Sequence, residues 1–157
     1  KDYPPFLHLS DKGREIDYGY YHGYTLLDKK NIEPEYSFGF GLSYTEFEIN
    51  NTKIDKSENS ITVTTDVTNL GDVYGEEVVQ VYFSSNNTSI DRPVKLLKGY
   101  KRIGVNANST ETAAIEIDID DIKFFNPESK SFELDSCYTV LIGNSSKNVK
   151  ELGKIEF

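Results

Sequence analysis

Four stretches of the chain alternate apolar and polar residues with a period of two. Ile61, Val63, Thr65 and Val67 alternate with Thr62, Thr64, Asp66 and Thr68; Val79, Val81 and Phe83 with Gln80, Tyr82 and Ser84; Ile115, Ile117 and Ile119 with Glu116, Asp118 and Asp120; Tyr138, Val140 and Ile142 with Thr139 and Leu141. Successive side chains on a strand point to opposite faces, so each stretch predicts a strand with one buried face. Weaker strands fit Phe47 to Ile54, Leu96 to Val105 and Val149 to Phe157. Turn signals separate them: Asn69-Leu70-Gly71-Asp72, Asn86-Asn87, Asn106-Ala107-Asn108, Asn126-Pro127 and Gly143-Asn144. Asp121 to Phe125 fits one short helical turn ended by Asn126-Pro127, and no amphipathic helix of ten residues is expected. Seven short strands with turns between them predict an all-β fold, an antiparallel β-sandwich of immunoglobulin or fibronectin type III kind. Tyr138 opens the sixth of these strands, where that architecture places a tyrosine corner. A single cysteine and no tryptophan exclude the disulfide-linked immunoglobulin core.

Residues 1–44 differ in kind. They hold Pro4, Pro5 and Pro34, five glycines (Gly13, Gly19, Gly23, Gly39 and Gly41) and seven of the eleven tyrosines, and no period persists. The tract is too aromatic for a disordered linker, which is poor in such residues. It reads as an irregular, ordered N-terminal arm that packs on something, followed by the sandwich at 45–157. Its aromatics suit domain docking better than sugar stacking, because interleaved glycines let backbone approach another surface closely.

Composition bounds the partners. The chain carries 17 basic and 26 acidic residues, a net charge of −9. That balance argues against nucleic acid, whose binding rests on neutralising phosphates, and against an anionic membrane surface. No apolar run approaches the ~18 residues of a membrane-spanning helix. The chain has no methionine and begins at Lys1, which leads us to expect a piece of something longer or a processed product. No signal peptide opens it, and the compartment, cytoplasmic or secreted, stays open.

No catalytic, cofactor or metal site is expected. His8 and His22 are the only histidines, and neither stands in a nucleophile elbow or a cysteine-spaced metal motif. Asp118, Asp120 and Asp121 invite a calcium reading, but Asp118 and Asp120 are expected on the solvated face of a strand. Glu76-Glu77 could supply half of a glycosidase carboxylate pair, yet a strand end offers no evident cleft. Asn50, Asn86, Asn87, Asn108 and Asn144 each open an N-x-[ST] triplet, a chance pattern in a chain this rich in asparagine. Cys137, in an apolar strand, reads as a buried inert thiol.

Longer motifs carry a resemblance. HGYTLLDKKNIEPEYSFGFGLSYTEFE, residues 22–48, resembles the hinge region of family-three glycoside hydrolases: Gly23, Tyr24 and Asp28 match its first part, and Pro34, Phe38, Gly39, Gly41, Leu42, Ser43, Tyr44 and Thr45 its second. Residues 67–84 (VTNLGDVYGEEVVQVYFS), 92–103 (RPVKLLKGYKRI) and 138–146 (YTVLIGNSS) are similar to segments of that family's C-terminal fibronectin type III-like domain. Thr25 stands where the family has Arg, and Asp135-Ser136 where it has Pro-Gly. The resemblance implies a non-catalytic accessory module of a β-glucosidase or β-xylosidase. The nucleophile and acid/base of such an enzyme lie upstream, on catalytic domains that would be this module's partner. An independent glycan-binding or adhesion sandwich is the alternative. The expected docking residues are Tyr24, Asp28, Phe38, Phe40, Leu42 and Tyr44, with Phe38, Phe40, Leu42 and Tyr44 sharing one face of an extended path.

Overall fold

A computed structural model describes residues 19–86 and 90–157. His8, Asn87 and the start of the arm lie outside the described residues. In chain order the elements are α1 (Gly23–Lys29), β1 (Phe47–Lys56), β2 (Ser60–Asn69), β3 (Gly75–Ser85), β4 (Leu96–Val105), β5 (Thr110–Asp118), α2 (Ile119–Ile122), β6 (Phe124–Asn126), β7 (Ser131–Glu133), β8 (Cys137–Gly143) and β9 (Val149–Glu156). The strands form an antiparallel sheet in the order β1-β2-β5, a second in the order β4-β3-β8-β9, and a separate hairpin β6-β7.

The expected all-β antiparallel sandwich is thus observed, with nine strands rather than seven. The three- and four-stranded sheets face each other, and the extra pair β6-β7 is a short hairpin between β5 and β8. Its strands have three residues each, too short for a periodic signal. The expected helical turn at 121–125 falls instead at α2, four residues closed off where Lys123 turns extended. Asp118 therefore ends β5 and caps α2, its carboxylate accepting from the Asp120 amide, so Asp120 does not continue a strand. Nor is the arm irregular throughout, since it holds α1. A seven-residue helix is marginal alone; this one carries Thr25, whose hydroxyl donates to the His22 carbonyl, and Asp28, which pairs with Lys95 of the sandwich.

Alternation explains the core. On β2, Ile61, Val63, Thr65, Val67 and Asn69 are all fully buried while their neighbours are half-buried. They meet Ala113, Ile115 and Ile117 of β5, Val79, Val81 and Phe83 of β3, Val140 and Ile142 of β8 and Ile155 of β9. Gly99 on β4 is required by this contact, since a Cβ there would lie 2.7 Å from Ile115 and 2.8 Å from Ile117. Tyr138 forms the expected corner: its hydroxyl accepts from the Asp135 amide at 3.1 Å and donates to the Ile122 carbonyl at 3.2 Å.

β3 departs from the pattern. Residues 79–83 are buried on both faces, Gln80 and Tyr82 included. The outer face of the four-stranded sheet is covered there by the arm.

Candidate functional site

The arm lies across β3 and β8. Gly39 approaches so closely that a Cβ would overlap the Gln80 amide nitrogen and come 3.2 Å from the Asn144 carbonyl. Gly39 also has φ +83, a conformation other residues rarely adopt. The Phe38 carbonyl accepts from the Ser146 amide at 2.8 Å, and the Phe38 amide donates to the Ser146 hydroxyl at 3.1 Å. Beneath, Gln80 donates to the Asn144 carbonyl and accepts from the Tyr82 hydroxyl. Burial, with the Asp28 carboxylate nearby, pushes the Tyr82 phenol up to about 12.

The six expected docking residues separate into two groups. Tyr24, Asp28 and Phe38 hold the arm together and onto the sandwich: Asp28 pairs with Lys95 at 2.8 Å, Tyr24 donates to the Tyr36 carbonyl, and the Tyr24 and Phe38 rings meet edge to face at 5.9 Å. Phe40, Leu42 and Tyr44 face outward, with Leu42 94% and Tyr44 103% exposed. The path between them is not extended. The Phe40 amide donates to the Ser37 carbonyl, so Ser37–Phe40 is a turn with Gly39 at its left-handed corner. Phe38 and Phe40 therefore do not share a face through strand alternation; Phe40 pairs instead with the Tyr36 ring at 5.2 Å. Tyr36, itself exposed, is the aromatic that spacing alone did not single out.

Further tethers are electrostatic. Lys29 bridges to Asp91, which also accepts from the Tyr21 hydroxyl, and Glu33 pairs with Lys147. Hydrogen bonds from Lys29 and Tyr21 hold the Asp91 carboxyl below its ordinary value, and the bond from Lys147 does the same for Glu33.

Past Tyr44 the chain is locked to the sandwich. The Thr45 hydroxyl donates to buried Asn69, whose side-chain oxygen also accepts from the Gly71 amide and whose nitrogen donates to the Val73 and Val105 carbonyls. A Cβ at Gly71 would overlap Thr45, and one at Gly75 would lie 2.6 Å from Thr45 and 2.8 Å from Phe47. The S-Y-T and T-N-L-G motifs of the sequence are this one junction.

A cleft of about 630 Å³ runs between Phe40–Ser43 of the arm and Glu76–Glu77. Glu76 is held by Arg102 and the Tyr74 hydroxyl, while Glu77 accepts from Asn144 and the Val78 amide. Both carboxylates border the cleft, and both are engaged by neighbours in the chain. Among the described residues no three His, Cys, Asp or Glu side chains converge on a point that could hold a metal. His22 is the N-cap residue of α1, its Nδ1 lying 3.2 Å from the Gly19 carbonyl. Cys137 is half-buried, with Asn86 donating to its sulfur at 3.5 Å. No helix among the described residues is long and apolar enough to cross a membrane.

The fold and this covered sheet define a fibronectin type III-like domain, and a family profile of that description matches residues 77–146. The wider chain is 35% identical over 153 residues to thermostable beta-glucosidase B of Acetivibrio thermocellus, covering 93% of this chain and 20% of that protein. It is 35% identical to the beta-glucosidase of Kluyveromyces marxianus over 95% of this chain and 18% of that one. The crystal structure of the Kluyveromyces enzyme with glucose superposes with a TM-score of 0.78 at 35% identity, over 86% of this chain and 17% of that chain. The GH3 beta-glucosidase of Bifidobacterium adolescentis gives 0.85 at 29% identity, over 94% and 23%. The chain corresponds to the fibronectin type III-like portion of family-three glycoside hydrolases, with the hinge segment that precedes it. It spans about a fifth of the length of these relatives and is the accessory, non-catalytic part of such enzymes.

Proposed function

We propose that this module docks on and stabilises the catalytic domains of a β-glucosidase or β-xylosidase, and that residues 1–44 form the docking arm and 45–157 the sandwich. One observation carries the reading. The arm is tied down on one side by Asp28, Phe38 and Gly39, while its other side presents Tyr36, Phe40, Leu42 and Tyr44 to solvent. Exposed large apolar side chains gathered on a rigid support mark an interaction surface. The catalytic four-fifths of the relatives supplies an occupant, and reaction on a glycoside belongs to that part.

The test uses the complete parent enzyme. Phe40→Ala should lower its melting temperature while leaving the Michaelis constant of the folded fraction nearly unchanged. A variant of unaltered stability with a much raised Michaelis constant would put Phe40 at the substrate and overturn the docking role.

A further inference from the structure

We infer that the docking face extends beyond the arm onto the β2–β3 turn, where Leu70, Val73 and Tyr74 bind the same catalytic portion; this rests on the docking reading above. All three side chains are exposed. Turns are dominated by Gly, Pro, Asn, Asp and Ser, and three large apolar residues in five positions need a reason.

They are also held rigid. The Leu70 amide donates to the Glu46 carbonyl at 2.8 Å, Gly71 packs against Thr45, and the Val73 carbonyl accepts from buried Asn69 at 2.8 Å. Tyr74 lies over Gly104, where a Cβ would collide with its ring, and donates to Glu76. The turn is thus fixed against the residues that follow Tyr44, and Leu42–Ser43 border Glu76 across the cleft. The Thr45–Asn69 and Leu70–Glu46 bonds bring the chain that follows Leu42 and Tyr44 beside the turn that carries Leu70, Val73 and Tyr74, and all five side chains are exposed. A rigid apolar surface loses little conformational freedom on binding, which favours a docked state.

Charge specifies the seat. Glu46, whose carbonyl holds the Leu70 amide, and Asp72 within the turn are exposed and without a salt bridge among the described residues. The complementary surface on the catalytic portion is therefore apolar at its centre, with Lys or Arg at its rim.

The test places Leu70→Ser with Val73→Ser in the complete parent enzyme, beside Phe40→Ala with Leu42→Ser. Both pairs should lower the melting temperature. In a separate Val73→Cys variant, the introduced thiol should react with maleimide more slowly in the parent than in the 157-residue chain. That chain has a core closed by its own two sheets and serves as the exposed reference. A parent destabilised by the arm pair but not by the turn pair, with the introduced thiol labelling equally fast in both, would overturn this extension and leave arm docking standing. If neither pair shifts the melting temperature, arm docking fails as well. A turn pair that destabilises the 157-residue chain itself, with the introduced thiol equally reactive in both, would assign these side chains to internal packing and overturn the inference.

Discussion

Gly39→Ala isolates the contact that seats the arm. Two penalties arise at once. Alanine at φ +83 costs about 1 kcal/mol of backbone strain. Its methyl group would also overlap the Gln80 amide nitrogen. Gln80 is only 3% exposed, so moving it separates a buried donor from the Asn144 carbonyl, costing about 1 kcal/mol or more. The sum is at least about 2 kcal/mol, roughly thirtyfold in the ratio of open to closed arm. The sandwich core lies beneath Gln80 and keeps its own packing, so the penalty is released by lifting the arm rather than by unfolding the domain. Hydrogen exchange reads this directly. The Ser146 amide, bonded to the Phe38 carbonyl, should exchange about thirtyfold faster in the variant, while the amides of β2 are unchanged. Gly41→Ala is the control, since no atom lies within 4 Å of its Cβ position. Unchanged exchange at Ser146 in Gly39→Ala would refute the account of how the arm is seated.

Asn69→Ala should lower stability by about 3 kcal/mol, because the Val73 and Val105 carbonyls and the Thr45 hydroxyl lose a shared partner in and around the core; a urea titration of the 157-residue chain measures it, and a loss under about 1 kcal/mol would contradict the role of the junction. Asp135→Asn should cost about 3–5 kcal/mol in the same titration, since Arg92, its side chain only 10% exposed and stacked on Phe124, loses its buried counter-ion. A pH series should release the arm in acid. Asp91 and Glu33 have folded pKa values held below their ordinary ones, so their tethers are present above the ordinary carboxylate range of about 4 and are lost as pH falls through the folded values. Limited proteolysis before Tyr44 should accelerate there, and a cleavage rate flat through that window would count against these tethers.

What was legible in the sequence follows from how many environments each segment meets. β2 has one face in the core and one outside it, so Ile61, Val63 and Val67 announced it by alternation. β3 is buried on both faces over 79–83, and the cover over Gln80 and Tyr82 comes from residues about forty positions earlier, which no local pattern encodes. Of the arm's described glycines only Gly39 makes a close backbone approach, and it does so on the chain's own sheet, while Gly19, Gly23 and Gly41 have no atom within 4 Å of a Cβ. The spacing predicts an extended path through Phe38–Tyr44; the left-handed Gly39 bends it, and the same residue that allows the contact breaks the alternation. The Asp28–Lys95 pair spans 67 positions and the Lys147–Glu33 pair 114, so neither could be read from spacing. The Asp135-Ser136 departure from Pro-Gly acquires a reason only in three dimensions, where Asp135 neutralises Arg92.

Carbene footprinting of Tyr36, Phe40, Leu42 and Tyr44 tests docking on the catalytic domains most directly. The 157-residue chain and the complete parent enzyme are labelled side by side, with exposed Tyr100 on β4 as an internal reference. The account predicts strong labelling of all four arm residues in the isolated chain and protection of them in the parent, relative to Tyr100. Equal labelling of the four in both would contradict it, because the arm would then face solvent in the whole enzyme.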